Sequence, residues 1–217
     1  MECANSEAVI IKTIRTPLLF IKDLLSTVNK MKIINLVRDP RPTIDSQKAV
    51  LYLHSSTYSS VIDHANNFCA RVYHDVITFD ILSLYYRRQL VRVLYEDLSS
   101  QPQSTAQKLY EFINIAYTAN IASSVANMTT GISSYNRYTF DVNINSKKAL
   151  NEWRLQNTLS YVHEVDSQCS SLYERLGYLP VSTEDMLRNL SIPLYRHITS
   201  NRTKFLFGLE MPQIKIR

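Results

Sequence analysis

An α/β domain is the fold this sequence predicts: three layers, with a mostly parallel sheet and helices on both faces. Three observations predict it. Short β-prone runs recur at Ala8–Arg15, Lys32–Val37 and Leu90–Leu98. The stretches between them carry apolar residues at helical spacing and are long enough for right-handed crossovers. Turn residues punctuate the ends of the runs, as in the α/β pattern of alternating strands and helices. The chain has 217 residues, enough for one domain with a sizeable core. Three glycines in the whole chain leave no room for a glycine-rich sandwich or a glycine-rich phosphate loop within these residues. The net charge of +5 suits an anionic ligand and falls short of the basic stripe of a nucleic-acid binder. No apolar run is long enough to span a membrane. The polar, acidic start Met1-Glu-Cys-Ala-Asn-Ser-Glu is unlike a signal peptide.

Ala8–Arg15 reads as a buried strand because it is rich in β-branched residues. Thr16-Pro17 then opens a helix, Thr16 as its cap and Pro17 in its first turn. Leu18, Leu19, Ile21, Leu24, Leu25 and Val28 supply its apolar positions, and Lys32–Val37 follows as a second parallel strand. Asp39-Pro40 and Arg41-Pro42 start another helix, which runs from Pro42 toward Leu53. His54–Ser60 is a polar loop. Phe68–Gln89 is helical, and Leu90–Leu98 is a strand that turns polar at Tyr95-Glu96-Asp97. Adjacent carboxylates on a strand point to opposite faces, so Glu96 and Asp97 suit capping a loop or pairing with an arginine rather than joint acid–base work. Pro102 opens a helix ending near Ile115. Ile121–Ser146 shows no period, and an irregular segment of that length is functional or disordered. Lys148–Leu176 reads as one long helix with Gly177 as its cap.

The chemistry concentrates where the second strand ends. Ligands of open α/β sheets bind beyond the carboxyl ends of parallel strands. Arg38 stands at that tip, and the following helix would aim its N-terminal N–H groups at the same point. A guanidinium, those N–H groups and the hydroxyl of Ser46 together suit a phosphate. Arg15, at the end of its own strand, would add a second cation. An ordinary strand–turn–helix with Arg38 in a surface ion pair accounts for the same residues.

Other candidates divide between function and structure. His54, His64 and His74 are not spaced one helical turn apart, so they suit exposed histidines better than a metal site. Cys3, Cys69 and Cys169 lack zinc-ligand spacing; they are either three buried thiols or one disulfide with a third cysteine. Trp153 fits a core residue better than a base-stacking platform. Asn127, Asn189 and Asn201 open glycosylation sequons.

Several segments together resemble the carbohydrate 6-O-sulfotransferases, whose acceptors include galactose, N-acetylglucosamine and N-acetylgalactosamine. These are Lys12-Thr-Ile-Arg15, Val37-Arg-Asp-Pro-Arg41 with Ser46, Tyr95-Glu-Asp-Leu98, Pro102 with Tyr110-Glu-Phe112, Trp153-Arg154, and Leu176-Gly-Tyr178. Cys3, Cys69 and Cys169 match cysteines of the family. The resemblance covers roughly residues 3–180. It implies a P-loop-type sulfotransferase fold, represented here by its C-terminal two-thirds, with residues 1–180 as the sulfotransferase domain and 181–217 as a divergent tail. It also implies sulfuryl transfer from 3′-phosphoadenylyl sulfate to a glycan or proteoglycan hydroxyl, without a metal, in the Golgi. Arg38 and Ser46 would hold the 3′-phosphate, with Arg15 a further contact to donor or acceptor. The family's 5′-phosphosulfate loop, proposed catalytic base and membrane anchor lie upstream of its Cys3-equivalent, so no catalytic base is assigned. Where the family has Arg-Asn-Ser, this chain has Ile144-Asn145-Ser146 and lacks the cation. Two other readings are a catalytically inactive remnant that keeps only a 3′-phosphate half-site and a different nucleotide-binding α/β protein such as a kinase. The missing Gly-x-x-x-x-Gly-Lys-Ser/Thr counts against the kinase.

Overall fold

The computed structural model describes residues 6, 8–14, 16–51, 60–131 and 145–196. Its sheet has two parallel strands, β1 (Ile33–Val37) and β2 (Leu90–Leu94). They run in register from Ile33 beside Leu90 to Val37 beside Leu94. Every residue of β2 is buried, so its apolar residues are not confined to alternate positions. The exception is Arg92. Its guanidinium donates to Asn35 on β1 and to Asp80 and the Val76 carbonyl on the neighbouring helix, and it lies over the Phe79 ring. That set of partners offsets the cost of removing the charge from water.

Helices dominate the rest. The helix α1 (Lys22–Thr27) follows a 3-10 turn, Leu18–Ile21. The longest helix, α3 (Val61–Tyr85), lies under the sheet and packs along α8 (Leu159–Leu176). Between them Cys69 and Cys169 form a disulfide across 100 residues of sequence. The main core gathers Val37, Leu94, Phe68, Val76, Val165, Leu172 and Leu176 from both strands and both helices. A second cluster seats Leu18 and Leu25 against Phe79, Leu82 and Leu90.

Several elements differ from the sequence expectations. Residues 8–14 form no strand and are exposed, Ile10 at 87%. A strand needs a ladder partner for its backbone groups, and this segment has none among the described residues. The three-layer sheet is accordingly a two-stranded one among the described residues. On β1 the side chains of Ile34 and Leu36 are 42% and 54% exposed, so helices cover that strand on one face only. Thr16 does not cap the following turn. The Leu18 N–H is instead satisfied by the Asp75 carboxylate at 2.9 Å, a partner 57 residues away.

Tyr95–Leu98 leaves the strand and starts a short helix, α4 (Tyr95–Ser100), followed by α5 (Pro102–Phe112). The helix expected from Pro42 begins at Pro40, as α2 (Pro40–Leu51). The helix expected from Phe68 begins at Val61, where the Ser60 hydroxyl accepts from the Asp63 N–H. Part of the stretch expected to be irregular is α6 (Ala119–Thr129), capped by Thr118. The single long helix expected over Lys148–Leu176 is two: α7 (Ser146–Gln156) and α8. The break comes at Thr158, whose hydroxyl caps the N-terminus of α8. Gly177 ends α8 at φ 91°, the left-handed conformation in which a Cβ is costly.

Packing continues past Pro180. Val181, Leu187 and Leu194 form a third cluster with Trp153 and Val162, and this segment includes α9 (Glu184–Arg188). Arg154 organises it by donating to the carbonyls of Met186, Leu187, Asn189 and Ile192. Of the sequence candidates, Cys3, Arg15, His54, Ile144 and the stretch from 197 to the end lie outside the described residues.

A disulfide closing so long a loop restricts the unfolded chain strongly. Reduction, or Cys69→Ser with Cys169→Ser, is expected to cost about 2–5 kcal/mol. Urea unfolding of the oxidised and reduced chain, followed by circular dichroism, checks this; coincident curves would show that the bridge adds nothing.

Candidate functional site

The site lies at the carboxyl ends of the two strands. Parallel register pairs Val37 with Leu94, so Arg38 and Tyr95 leave the sheet side by side, and Asp39 and Glu96 follow at the next level. The contacts repeat that order. The Arg38 guanidinium lies 4.3 Å from the centre of the Tyr95 ring. The Asp39 N–H donates to Glu96 Oε1 at 3.0 Å. Arg38 is half-buried and has no carboxylate partner among the described residues.

Immediately below lies Arg41, with no exposed surface. Its Nε and one terminal nitrogen grip the Asp39 carboxylate at 2.9 and 2.7 Å. The other terminal nitrogen donates to the Leu179 carbonyl at 3.0 Å and stands 3.6 Å from Asp166. Its carbon centre lies 4.9 Å from the Trp153 ring and 5.2 Å from Tyr173. Trp153 is thus a core residue, and its face meets an arginine. Burial alone would lower the Arg41 pKa, but Asp39, Tyr173 and Asp166 outweigh it and hold it above the ordinary guanidinium range. The guanidinium is fully buried and engaged by Asp39, Leu179 and Asp166. Arg41 therefore serves the scaffold and Arg38 is the accessible cation.

The start of α2 differs from the expected anion cradle. Pro40 and Pro42 have no N–H to offer. The Arg41 N–H is taken by the Asp39 carboxylate at 2.9 Å, and the Thr43 N–H points to the Asp39 carbonyl. No backbone donor in this first turn is left over. The negative charge of Asp39 already complements the positive end of the helix. Ser46 sits half-buried on α2, about 9 Å further along its axis than Pro40. Arg38 thus follows the end of β1, while Ser46 lies within α2.

Glu96 joins the two halves of this end. Its Oε2 accepts from the Tyr178 hydroxyl at 2.8 Å, just beyond Gly177, while Oε1 caps the loop between β1 and α2. Burial, and then the negative charge of Asp39, push its carboxyl up to about 7. His64 is buried on α3 with Nε2 3.0 Å from Gln47 Oε1; burial, Arg71 and Lys48 hold its pKa below the ordinary value. Among the described residues no three His, Cys, Asp or Glu side chains are grouped to hold a metal ion. At the far end of α4 from Arg38 is a cavity of about 450 Å³. Ser100, Gln103, Thr130, Asn145, Ser146 and Lys147 line it with amides, hydroxyls and one cation. The Ser146 hydroxyl donates to the Ser99 carbonyl, tying α7 to α4 at this cavity.

Sequence reasoning named Arg38 as the candidate cation and assigned no role to Arg41, which grips Asp39, or to Tyr95, which lies against Arg38. The signal for Arg41 was its place between two prolines at a helix start, where a surface arginine has no need of fixed backbone. Glu96 took the loop-capping role that its position suggested, from a helix rather than from a strand.

Two measurements test this arrangement. Arg41→Ala strands Asp39 and Asp166 as buried, unpaired carboxylates and is expected to cost about 3–5 kcal/mol in urea unfolding at pH 7; a loss under about 1 kcal/mol would show that the cluster is not a scaffold element. Glu96 is raised in the folded state, so the folded chain holds its proton longer than the unfolded one. Stability is therefore lost as pH rises from about 4.5 to about 7. The loss is on the order of 3 kcal/mol at most, and Glu96→Gln should remove it. Parallel stability–pH curves for the two proteins would refute that assignment.

Comparison with known proteins bears on the whole of this end of the sheet. The sequence model described as the sulfotransferase family matches residues 5–119, a span that contains Arg38, Ser46, Tyr95 and Glu96. Carbohydrate sulfotransferase 1 of Mus musculus is 25% identical over 207 residues, covering 88% of this chain and 50% of that protein. Its counterpart in Homo sapiens is 24% identical with the same coverage. Carbohydrate sulfotransferase 6 of Homo sapiens is 32% identical over 112 residues, 50% of this chain and 27% of that protein. The chain spans about half the length of the first of these relatives. With the family match covering more than half of its residues, this chain belongs to the sulfotransferase family.

Proposed function

We propose that this chain is the C-terminal part of a carbohydrate sulfotransferase that uses 3′-phosphoadenylyl sulfate as donor, residues 1–180 forming a partial sulfotransferase domain that carries the 3′-phosphate side of the nucleotide site. The observation that carries the reading is Arg38. Inside the family match, a half-buried guanidinium with no carboxylate partner among the described residues stands where parallel strands end. A planar fork of donors in that place suits a phosphate dianion. The Ser46 hydroxyl would add a neutral donor, and Arg15 a second cation from the preceding segment. The α2 terminus contributes little here, because prolines and Asp39 have used its donors, so the 3′-phosphate depends on side chains.

The reaction is in-line transfer of a sulfuryl group. A sugar hydroxyl oxygen, on the reading favoured here the 6-hydroxyl of galactose or N-acetylglucosamine, forms a bond to sulfur as the bridging sulfur–oxygen bond breaks. Adenosine 3′,5′-bisphosphate leaves with the bond's electron pair, and the hydroxyl proton goes to a base not assigned among these residues. Holding donor and acceptor in line supplies much of the acceleration in such transfers. The Cys69–Cys169 bridge supports an oxidising compartment, in line with the Golgi lumen. Among the described residues no helix is long and apolar enough to cross a membrane.

Calorimetric titration with adenosine 3′,5′-bisphosphate tests the donor half-site, with 5′-AMP as control. Arg38→Ala is expected to weaken the bisphosphate at least ~10-fold and to leave 5′-AMP nearly unchanged. A folded chain that binds neither nucleotide would favour the reading of a sulfotransferase-like scaffold that has lost its ligand.

A further inference from the structure

We infer that Tyr95 is a positioning residue for Arg38, holding the guanidinium as a preformed receptor for the 3′-phosphate; this rests on the donor-site reading above. Three observations lead to it. The strand register brings residues 38 and 95 to the same level at the sheet's end. The Arg38 guanidinium lies over the Tyr95 ring, 4.3 Å from its centre. The backbone on both sides is pinned one residue further on, where Glu96 accepts from the Asp39 N–H and the Tyr178 hydroxyl. Ring and guanidinium therefore ride on one bonded frame.

The physical consequence concerns entropy and direction. An arginine on a strand tip has several freely rotating bonds, and immobilising it on binding costs affinity. Contact with an aromatic face restrains the guanidinium before the ligand arrives without neutralising its charge, as a carboxylate would. No carboxylate among the described residues competes for it. Tyrosine suits this place because a ring attracts the cation through its face without neutralising it. A carboxylate there would hold Arg38 more tightly and compete with phosphate. The same device explains how a phosphate can be bound next to Asp39 and Glu96: both carboxylates are turned inward onto Arg41, the Asp39 N–H and Tyr178.

The test compares ligands that differ by the 3′-phosphate alone. The full chain is titrated with adenosine 3′,5′-bisphosphate and with 5′-AMP, and the ratio of affinities is read for the parent chain, Tyr95→Phe, Tyr95→Leu, Tyr95→Met and Arg38→Ala. Thermal melts accompany each variant. Tyr95→Phe keeps the ring and should keep the ratio. Tyr95→Leu and Tyr95→Met should each lower the ratio about 3- to 10-fold with 5′-AMP binding unchanged. In the Arg38→Ala background, Tyr95→Leu should change nothing further. A merely structural role would weaken both nucleotides together and leave the ratio alone, which would overturn the inference. A ratio that falls in Arg38→Ala but persists in both ring-less variants would also overturn it, while sparing the donor-site reading. A parent chain with no preference for the 3′-phosphate would overturn both.

Discussion

A guanidinium sealed from water holds the elements at the carboxyl end of the sheet together. Arg41 reaches four parts of the chain at once: the loop after β1 through Asp39, the segment after α8 through the Leu179 carbonyl, α8 itself through Asp166 and Tyr173, and α7 through the face of Trp153. A buried charge of this kind is tolerable only with its partners in place, because each carboxylate would be costly alone. The cluster therefore couples elements that are distant in sequence. It fixes where α2 starts, and hence the direction in which the end of β1 faces. Tyr161 reinforces the arrangement by donating its hydroxyl to the Arg41 carbonyl at 2.9 Å.

Above that base, parallel register does the positioning. Neighbouring strands advance together, so each residue past the end of β1 meets its counterpart past the end of β2. One level supplies a cation on an aromatic ring; the next supplies a carboxylate capping a backbone N–H. Arg38 and Arg41 are only three positions apart, yet their surroundings are opposite in kind. Arg41 is saturated by carboxylates and carbonyls, whereas Arg38 meets a ring and open space. That contrast distinguishes the two arginines more clearly than the residue type could.

The disulfide and Arg154 tie further elements to this packing. Cys69 and Cys169 lock the longest helix to α8. Arg154, by gathering four carbonyls, closes the irregular segment around α9 without needing a regular element there. Both devices stabilise the platform from which the strand ends project.

Much of this was legible in the residues themselves. The apolar runs 33–37 and 90–94, the turn at Asp39-Pro40, the left-handed cap at Gly177 and the placing of Arg38 at a strand tip follow from local physics: β-branched propensity, proline's fixed φ and glycine's freedom. Other features depended on partners far away in sequence. Residues 8–14 have strand-like composition but form no strand and are exposed, since a strand exists only with a neighbour to accept its hydrogen bonds. Tyr95–Leu98 could continue β2 or begin a helix by local preference; Glu96 reaching Asp39 and Tyr178 goes with the helix. Whether Arg38 or Arg41 would be the open cation was likewise decided in three dimensions, because burial and pairing are properties of packed surroundings and adjacent arginines look alike in one.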